Sequence, residues 1–505
     1  MRVAVLVICV LIGCGTASAA PPDPAALAAR IDKHLQARWD AEKVKPADRA
    51  DDATFVRRVH LDLVGRIPTV AEVRAFLDDK DADKRAKLVA RLVDSAAHAR
   101  HMATFWRRQW VPQADAPQFA NLADDLESWI ASNLRSGASY DRIVRDLLTA
   151  SRVKTGPGAP TTFLTASEAK PENLAANTAR AFLGINLDCA QCHDHPFARW
   201  TRDQFWQTAA FFVRPTVPDG TTPARLELVV PSTKKPIGPR LLNDSEPKWP
   251  AVLKDDTGRV VLAEWVTARD NPYFARNAVN RVWAELFGTG IVEPLDDLSG
   301  SNPPVHPELL DDLARAFTES KFDLKYLTTA LVLTRAYQLS AVVPAGGSSD
   351  PRWFACSAVR GLTGEQLYDS LRVAAGLPAD REDLDPTIAP RERKRFAEKF
   401  RVERTGSAQR SILQSLSLMN GKLTTDLTDV AKAPALCAVA GAPFLDTKGK
   451  VEALYLAVLG RKPADDESAP FVKYVENGGA DRDANKALAD VLWALLNSTE
   501  FNTNH

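Results

Sequence analysis

The feature that most constrains this chain is the run Cys189-Ala190-Gln191-Cys192-His193, which stands between two stretches of helical periodicity. The C-x-x-C-H spacing is that of a c-type haem attachment site. Two thiols three positions apart can each add to one vinyl group on the same edge of a porphyrin, and the next imidazole becomes the proximal iron ligand. The spacing therefore predicts haem c held by Cys189, Cys192 and His193 in helical surroundings.

The same short segment allows two other kinds of site. Cys189, Cys192 and His195 could bind Zn²⁺ together with a fourth ligand from elsewhere, because C-x-x-C is a common zinc half-site. A disulfide between the two cysteines is the third possibility. For a haem iron, the candidates for the sixth ligand are His101 and Met102, which lie in an aromatic-rich helix of the same half of the chain.

The N-terminus has the pattern of a signal peptide. Arg2 precedes an apolar run over residues 3–12, and small residues follow up to Ala19, after which we expect cleavage. A competing lipobox-like sequence ends at Cys14 and would make the protein a lipoprotein. Either pattern predicts export to the periplasm or cell surface. The apolar run is too short for a stable transmembrane helix, and no longer run follows it.

Composition excludes some classes of protein. Lys plus Arg and Asp plus Glu both number 64, so the formal net charge is zero and a general nucleic-acid binder is not expected. No nucleotide-binding or common hydrolase motif is present. Apolar residues recur with helical spacing along most of the 505 residues. We therefore predict a mainly α fold with a signal peptide over residues 1–19, helical domains over residues 25–214 and 251–505, and a β-containing connector over residues 215–250.

A second candidate site is acidic. Carboxylates and one imidazole cluster in a Pro-rich loop and the helix start after it, where oxygen ligands suit Ca²⁺ or Mg²⁺ and a histidine would admit a transition metal: Glu293, Asp296, Asp297, His306, Glu308 and Asp311. The alternative is that these groups cap a helix and form loop salt bridges, because carboxylates in a first helical turn favour the helix dipole.

Several further stretches carry a resemblance to a known family. In the first half they are Phe55-Val56-Arg57-Arg58, residues 61–69, and Phe182-Leu183-Gly184 leading into the cysteine motif. In the second half they are residues 271–276, 279–283, 290–294 with 296–297, 306–311, 335–340 and 496–501. On these residues the chain resembles exported planctomycete-type proteins that pair a cytochrome-c-like domain with a planctomycete-specific C-terminal domain, both of unknown function.

The resemblance implies haem but no particular reaction. Many relatives carry an extra N-terminal cytochrome domain with its own C-x-x-C-H, and this chain has no second copy of that motif. We therefore expect an exported c-type haem protein that transfers electrons to or from a separate redox partner, or serves as the redox module of an extracytoplasmic complex. The alternatives are a cell-surface scaffold with a structural Zn²⁺ or disulfide at the motif, and a hydrolase using the acidic loop. The oligomeric state is left open.

Overall fold

The structure, a computed structural model, describes residues 22–150, 160–217, 224–378, 389–400 and 411–505. Its architecture is mainly α, as the periodicity predicts. The signal-peptide and lipobox predictions lie outside the described residues. Among the described residues, no helix is both long and apolar enough to cross a membrane.

The helices follow one another with short connections. The first half contains α1 Pro24–Glu42, α2 Asp52–Val64, α3 Val70–Asp78, α4 Lys84–Val93, α5 Ala96–Trp110, α6 Ala120–Arg135, α7 Tyr140–Thr149, α8 Thr162–Ala166, α9 Pro171–Thr178 and α10 Arg202–Ala209. The second half contains α11 Thr257–Val266, α12 Phe274–Phe287, α13 Pro307–Glu319, α14 Leu324–Leu333, α15 Gly364–Ala374, α16 Ala389–Lys399, α17 Ile412–Asn420, α18 Lys422–Leu427, α19 Pro434–Ala440, α20 Thr447–Val458, α21 Asp465–Glu476, α22 Ala484–Leu496 and α23 Thr499–Asn502.

Strands are few and short. Strands β1 (Leu228–Val229) and β2 (Pro236–Ile237) pair antiparallel, with Leu228 opposite Ile237. This hairpin lies in the predicted β-containing connector. Strands β3 (Arg360–Gly361) and β4 (Thr503–Asn504) also pair antiparallel, and they bring the C-terminal tail back to the middle of the chain.

Local sequence explains how several helices begin and end. Thr69 and Glu72 have the spacing of a capping box, and they form one before α3, with each side chain bonded to the other's backbone N–H. Helix α2 begins after Asp51, whose carboxylate accepts from the Thr54 N–H, and it ends at Gly65 with φ +74°. These signals are local, so the chain's own sequence is sufficient to place both helices.

The buried apolar side chains form two cores. The first core combines helices from α1 to α14, because α1 packs on α14 and α7 packs on α11. The second core lies within residues 362–501 and takes in Leu61 and Ile67 from the first half. Residues 215–250 therefore do not separate two cores, and the division between the cores falls between Ala355 and Leu362.

Candidate functional site

The backbone turns sharply just before the cysteine motif. Periodicity predicts a helix over residues 171–187, but α9 loosens into a π turn over Ala179–Leu183 and stops at Gly184, whose φ is +65°. A Cβ at Gly184 would lie 2.8 Å from Leu298 Cδ1 and 2.9 Å from Asn277 Oδ1. The helical prediction is wrong for residues 184–187 because Gly184 adopts the left-handed conformation that ends a helix. The second half of the chain also packs too closely here for any residue larger than glycine.

The acidic loop packs against the segment that leads into the cysteine motif. The Leu298 N–H donates to the Gly184 carbonyl at 2.8 Å, and Ile185 forms a β-bridge with Asp297. One helical turn earlier, Asn277 Nδ2 donates to the Ala181 carbonyl at 2.8 Å. The loop over residues 293–298 is thus joined by backbone hydrogen bonds to the segment that leads into the cysteine motif.

The motif itself is a surface turn with one inward residue. Asp188–Ala190 forms a single 3-10 turn in which Ala190 is completely buried while Cys189 and Cys192 are exposed. Trp206 Nε1 on α10 donates to the Gln191 carbonyl at 3.1 Å. Both thiols are free, so the motif presents two unlinked sulfur atoms outward from a firmly anchored backbone.

The imidazole of His193 has a defined tautomer. Its Nδ1 lies 2.7 Å from the Asp194 carbonyl oxygen, and since a carbonyl can only accept, Nδ1 carries the proton. Nε2 is therefore the nitrogen with the free lone pair. A metal-ligating histidine ordinarily donates its other N–H in this way, so His193 is prepared to bind a metal through Nε2.

His195 is held in the opposite way. Its Nδ1 accepts the backbone N–H groups of Phe197 at 3.2 Å and Ala198 at 2.9 Å, so Nε2 carries the proton. Its own N–H donates to the Trp200 carbonyl at 2.8 Å. Ligation by either ring nitrogen would break this arrangement, because Nδ1 is occupied and Nε2 is protonated. His195 shapes the turn after the motif.

Other residues after the motif also have structural roles. Asp194 Oδ1 accepts the Arg202 N–H at 2.8 Å at the start of α10. The Arg199 guanidinium lies 4.9 Å from the centre of the buried Trp200 ring and donates to the Tyr273 hydroxyl at 2.6 Å. Phe197, in contrast, is 85% exposed, so this large apolar side chain five residues after Cys192 is left uncovered by the described part of the chain.

The sequence analysis did not identify three interacting charged residues near the motif, Arg180, Asp188 and Asp296. Arg180, on the π turn, donates to the carbonyls of Gln109 at 3.2 Å and Trp110 at 3.4 Å, and its charge interacts with Asp188 and Asp296. Partial loss of hydration raises the pKa of the Asp188 carboxyl, Asp296 adds to the rise, and Arg180 opposes it. The sequence shows that Arg180 lies nine residues before Cys189, which was the available sign of a basic residue near the motif. Its proximity to Asp296 depends on the packing of the two halves of the chain.

The sixth-ligand candidates lie toward the other end of α5. His101 lines a cavity of about 490 Å³ between α5, α6, α15 and α16, and burial lowers its pKa to about 3. Met102 is buried beside a different cavity, against α14. The segment before the cysteine motif contacts Gln109 and Trp110 instead, about 12 Å further along the helix axis. The structure therefore brings neither His101 nor Met102 to the motif, and their role as ligands stays a prediction.

The acidic residues are dispersed along their loop. Glu293 Oε2 accepts the Gly290 N–H at 3.3 Å, and Arg276 forms an ion pair with Asp311. His306 Nε2 donates to the Arg352 carbonyl at 2.9 Å, and burial lowers the His306 pKa. Within the described ranges no three His, Cys, Asp or Glu side chains are grouped so that they could hold a metal ion. The Zn²⁺, Ca²⁺ and Mg²⁺ sites stay predictions.

Comparison with known families found one match in each half of the chain. Residues 30–216 match the model of PSCyt2, described as a protein of unknown function (DUF1549), and residues 258–412 match that of PSD1, described as a protein of unknown function (DUF1553). This order is consistent with a planctomycete-type two-domain protein. The PSCyt2 match contains the whole cysteine motif, and the PSD1 match contains the acidic loop that packs beside it. No curated protein and no solved structure matches the chain.

Proposed function

We propose that the turn Cys189–His193 is a covalent attachment site for haem c, and that the chain is an exported electron-transfer protein or the redox module of an extracytoplasmic complex. Each S–H would add across one vinyl double bond, with sulfur bonding to one carbon and the proton going to the other, so no oxidant is needed. His193 would bind the iron through Nε2. A bound haem supplies a centre that gains and loses one electron.

The observation that carries this proposal is the state of the three donor residues. Cys189 and Cys192 are exposed and unlinked, so both sulfur atoms are accessible to a porphyrin. The Nδ1–H of His193 is committed to the Asp194 carbonyl, which leaves Nε2 as the ligating atom.

The fit extends to the surroundings of the motif. Trp206 and the buried Ala190 hold the turn in place, so the donors sit on rigid backbone. Five residues after Cys192, the exposed Phe197 adds a large apolar side chain to the same surface segment, as suits a large flat apolar group. The chain contains one C-x-x-C-H motif, so electrons would be exchanged with a separate redox partner protein.

The test is expression with export in a host that matures c-type cytochromes, followed by a pyridine haemochrome spectrum and intact mass. We expect one covalent haem per chain, and none in the Cys189→Ala, Cys192→Ala double variant. Cys437→Ala is the matched control, because Cys437 is also an exposed free cysteine but lies on α19 outside the motif. It should keep the full haem content.

Two results would contradict the proposal. One is a native protein without haem that contains one Zn²⁺ per chain or a 189–192 disulfide, which would make the motif a structural element of a scaffold. The other is haem that persists unchanged when both cysteines are replaced. If the double variant loses both haem and the circular dichroism signal of a folded protein, the two single variants decide instead. Each single variant should keep haem through one thioether bond.

A further inference from the structure

Helix α17 has an apolar face that the described part of the chain leaves open to solvent. Ile412 and Leu413 are 80% and 75% exposed, and Leu416 and Met419 are exposed as well. Ile412, Leu416 and Met419 recur at i, i+4 and i+7, so they lie along one side of the helix, and Leu413 widens that side. We call these four residues the apolar stripe. Exposed apolar residues grouped in this way mark interaction sites, whereas single ones do not.

Another face of α17 fixes the helix to the second core. Leu418 is buried among the side chains of that core, and Trp493 Nε1 on α22 donates to the Met419 carbonyl at 3.0 Å. A capping box of Ser411 and Gln414 begins the helix. The apolar stripe is therefore presented by a helix that is capped at its start and anchored along its buried side.

Basic residues flank the apolar stripe. Gln414 Nε2 donates to the Lys399 carbonyl at 3.2 Å, so the first turn of α17 lies against the end of α16. Helix α16 contains five Lys or Arg and two Glu, and its exposed side chains include Arg395 and Lys399. Lys422 follows the other end of α17, and its side chain is largely exposed although it pairs with Asp426. Helix α17 itself contains no charged residue, so the charge beside the stripe is mainly positive in a chain whose net charge is zero.

The size of the apolar stripe argues against a second copy of the chain as its partner. Each of the four side chains can bury about 100 Å². Together they supply about 400 Å², which is half of the about 800 Å² per partner that a stable protein interface buries. An apolar helix face flanked by Lys and Arg is typical of helices that lie in a lipid–water interface, where the cations meet anionic headgroups. The uncharged stripe and its basic flanks therefore favour an anionic membrane surface.

We propose that α17 docks the protein on an anionic lipid surface, with the apolar stripe inserted among the headgroups and Lys399 and Lys422 beside lipid phosphates. The docking is peripheral, because nine residues of helix extend about 13 Å, less than half of the about 30 Å hydrocarbon core. The stripe belongs to the second core, whereas Ala190 of the cysteine motif belongs to the first. This docking is independent of the proposed haem.

Co-sedimentation of the mature chain from residue 20 onwards with lipid vesicles tests the proposal. This chain lacks Cys14, so no lipid anchor contributes to the result. We expect stronger binding to vesicles that contain phosphatidylglycerol than to vesicles of phosphatidylcholine alone. The difference should disappear between about 0.1 M and about 1 M salt, because the screening length falls from about 10 Å to about 3 Å.

Two variants separate the apolar and the charged contributions. Ile412→Gln should lower the partition coefficient on phosphatidylglycerol vesicles about tenfold, because one apolar side chain no longer leaves water. Lys399→Gln should lower it about fivefold on those vesicles and leave binding to phosphatidylcholine unchanged. Both side chains are exposed, so neither change should disturb the fold.

The matched control for Ile412→Gln is Val342→Gln. Val342 is also a β-branched side chain and is 75% exposed, but it lies beside the first core, where the Ser340 N–H donates to the Asp48 carbonyl. It should bind vesicles like the native protein. Equal losses for the two variants would overturn the proposal, as would an absence of binding to phosphatidylglycerol vesicles. A native dimer in size-exclusion chromatography that Ile412→Gln converts to a monomer would also overturn it, since a second copy would then cover the stripe.

Discussion

At the scale of single residues, His193 and His195 show how neighbours of one type acquire different chemistry. His193 donates through Nδ1 to a carbonyl, whereas His195 accepts through Nδ1 from two backbone N–H groups. The first arrangement exposes a lone pair on Nε2, and the second uses the lone pair to hold a turn. The hydrogen bond of His193 leaves Nε2 available to a metal, whereas metal binding by His195 would first have to break the hydrogen bonds that hold the turn.

Buried histidines also predict a dependence of stability on pH. The pKa of His98 is about 4 in the folded protein and about 6.5 when unfolded. As pH falls below 6.5 the unfolded state takes up a proton that folded His98 does not, so the free energy of unfolding decreases. Between pH 6.5 and 5 this amounts to about 2 kcal/mol, and His101 acts in the same direction.

Urea denaturation at pH 7 and pH 5 measures this effect. His98→Gln should lose about 2 kcal/mol less than the native protein between the two pH values, because the glutamine side chain does not take up the proton. If the variant and the native protein lose the same amount of stability, His98 is not the source of the dependence.

At the scale of elements, the transition from α9 to the cysteine motif is governed by a glycine in a crowded place. Gly184 has φ +65° and meets Leu298 and Asn277, while Gly137, after α6, has φ +72° and nothing within 4 Å of an added Cβ. The two glycines therefore share a left-handed backbone conformation but differ in crowding. Comparing the two positions therefore separates the effect of the left-handed backbone from the effect of crowding at an added Cβ.

Replacement of each glycine by alanine should give different losses of stability. Gly137→Ala should cost about 1 kcal/mol from the left-handed backbone alone. Gly184→Ala should cost about 1–3 kcal/mol more, because Leu298 or the acidic loop must move. Denaturant titration measures both, and faster hydrogen exchange at residues 293–298 in Gly184→Ala would locate the change. Equal losses would contradict the close packing at Gly184.

At the scale of the whole molecule, α2 connects the two cores through a buried polar network. Asp62 accepts from Arg360 Nη2 at 2.8 Å, Asn504 Nδ2 at 2.7 Å and the Tyr337 hydroxyl at 2.7 Å. One turn earlier, Arg58 donates to the Leu339 carbonyl at 2.9 Å and the His505 carbonyl at 3.0 Å. The middle of the chain and its C-terminal tail are thus both fixed to one helix.

Asp62→Ala should be strongly destabilising, because it removes the carboxylate with which buried Arg360 forms its ion pair. We expect a loss of about 3–5 kcal/mol in the free energy of unfolding. The control is Asp52→Ala on the same helix, whose carboxylate pairs with Lys84 and Arg85 but is 34% exposed. It should cost about 1 kcal/mol or less. Similar losses for the two variants would show that the network around Asp62 does not join the cores.

The sequence alone determined the mainly α class, the capping box at Thr69 and Glu72, and the spacing of the cysteine motif and its neighbouring histidines. These features depend on residues within one or two helical turns of one another, so periodicity and spacing report them. The tertiary structure decided the end of α9, the contact of the acidic loop with the motif and the network around Asp62. Those contacts join residues about 100 to more than 400 positions apart, such as Asp62 and Asn504, 442 positions apart. Local patterns carry no information about such distant partners, because only the packing of the helices brings them together.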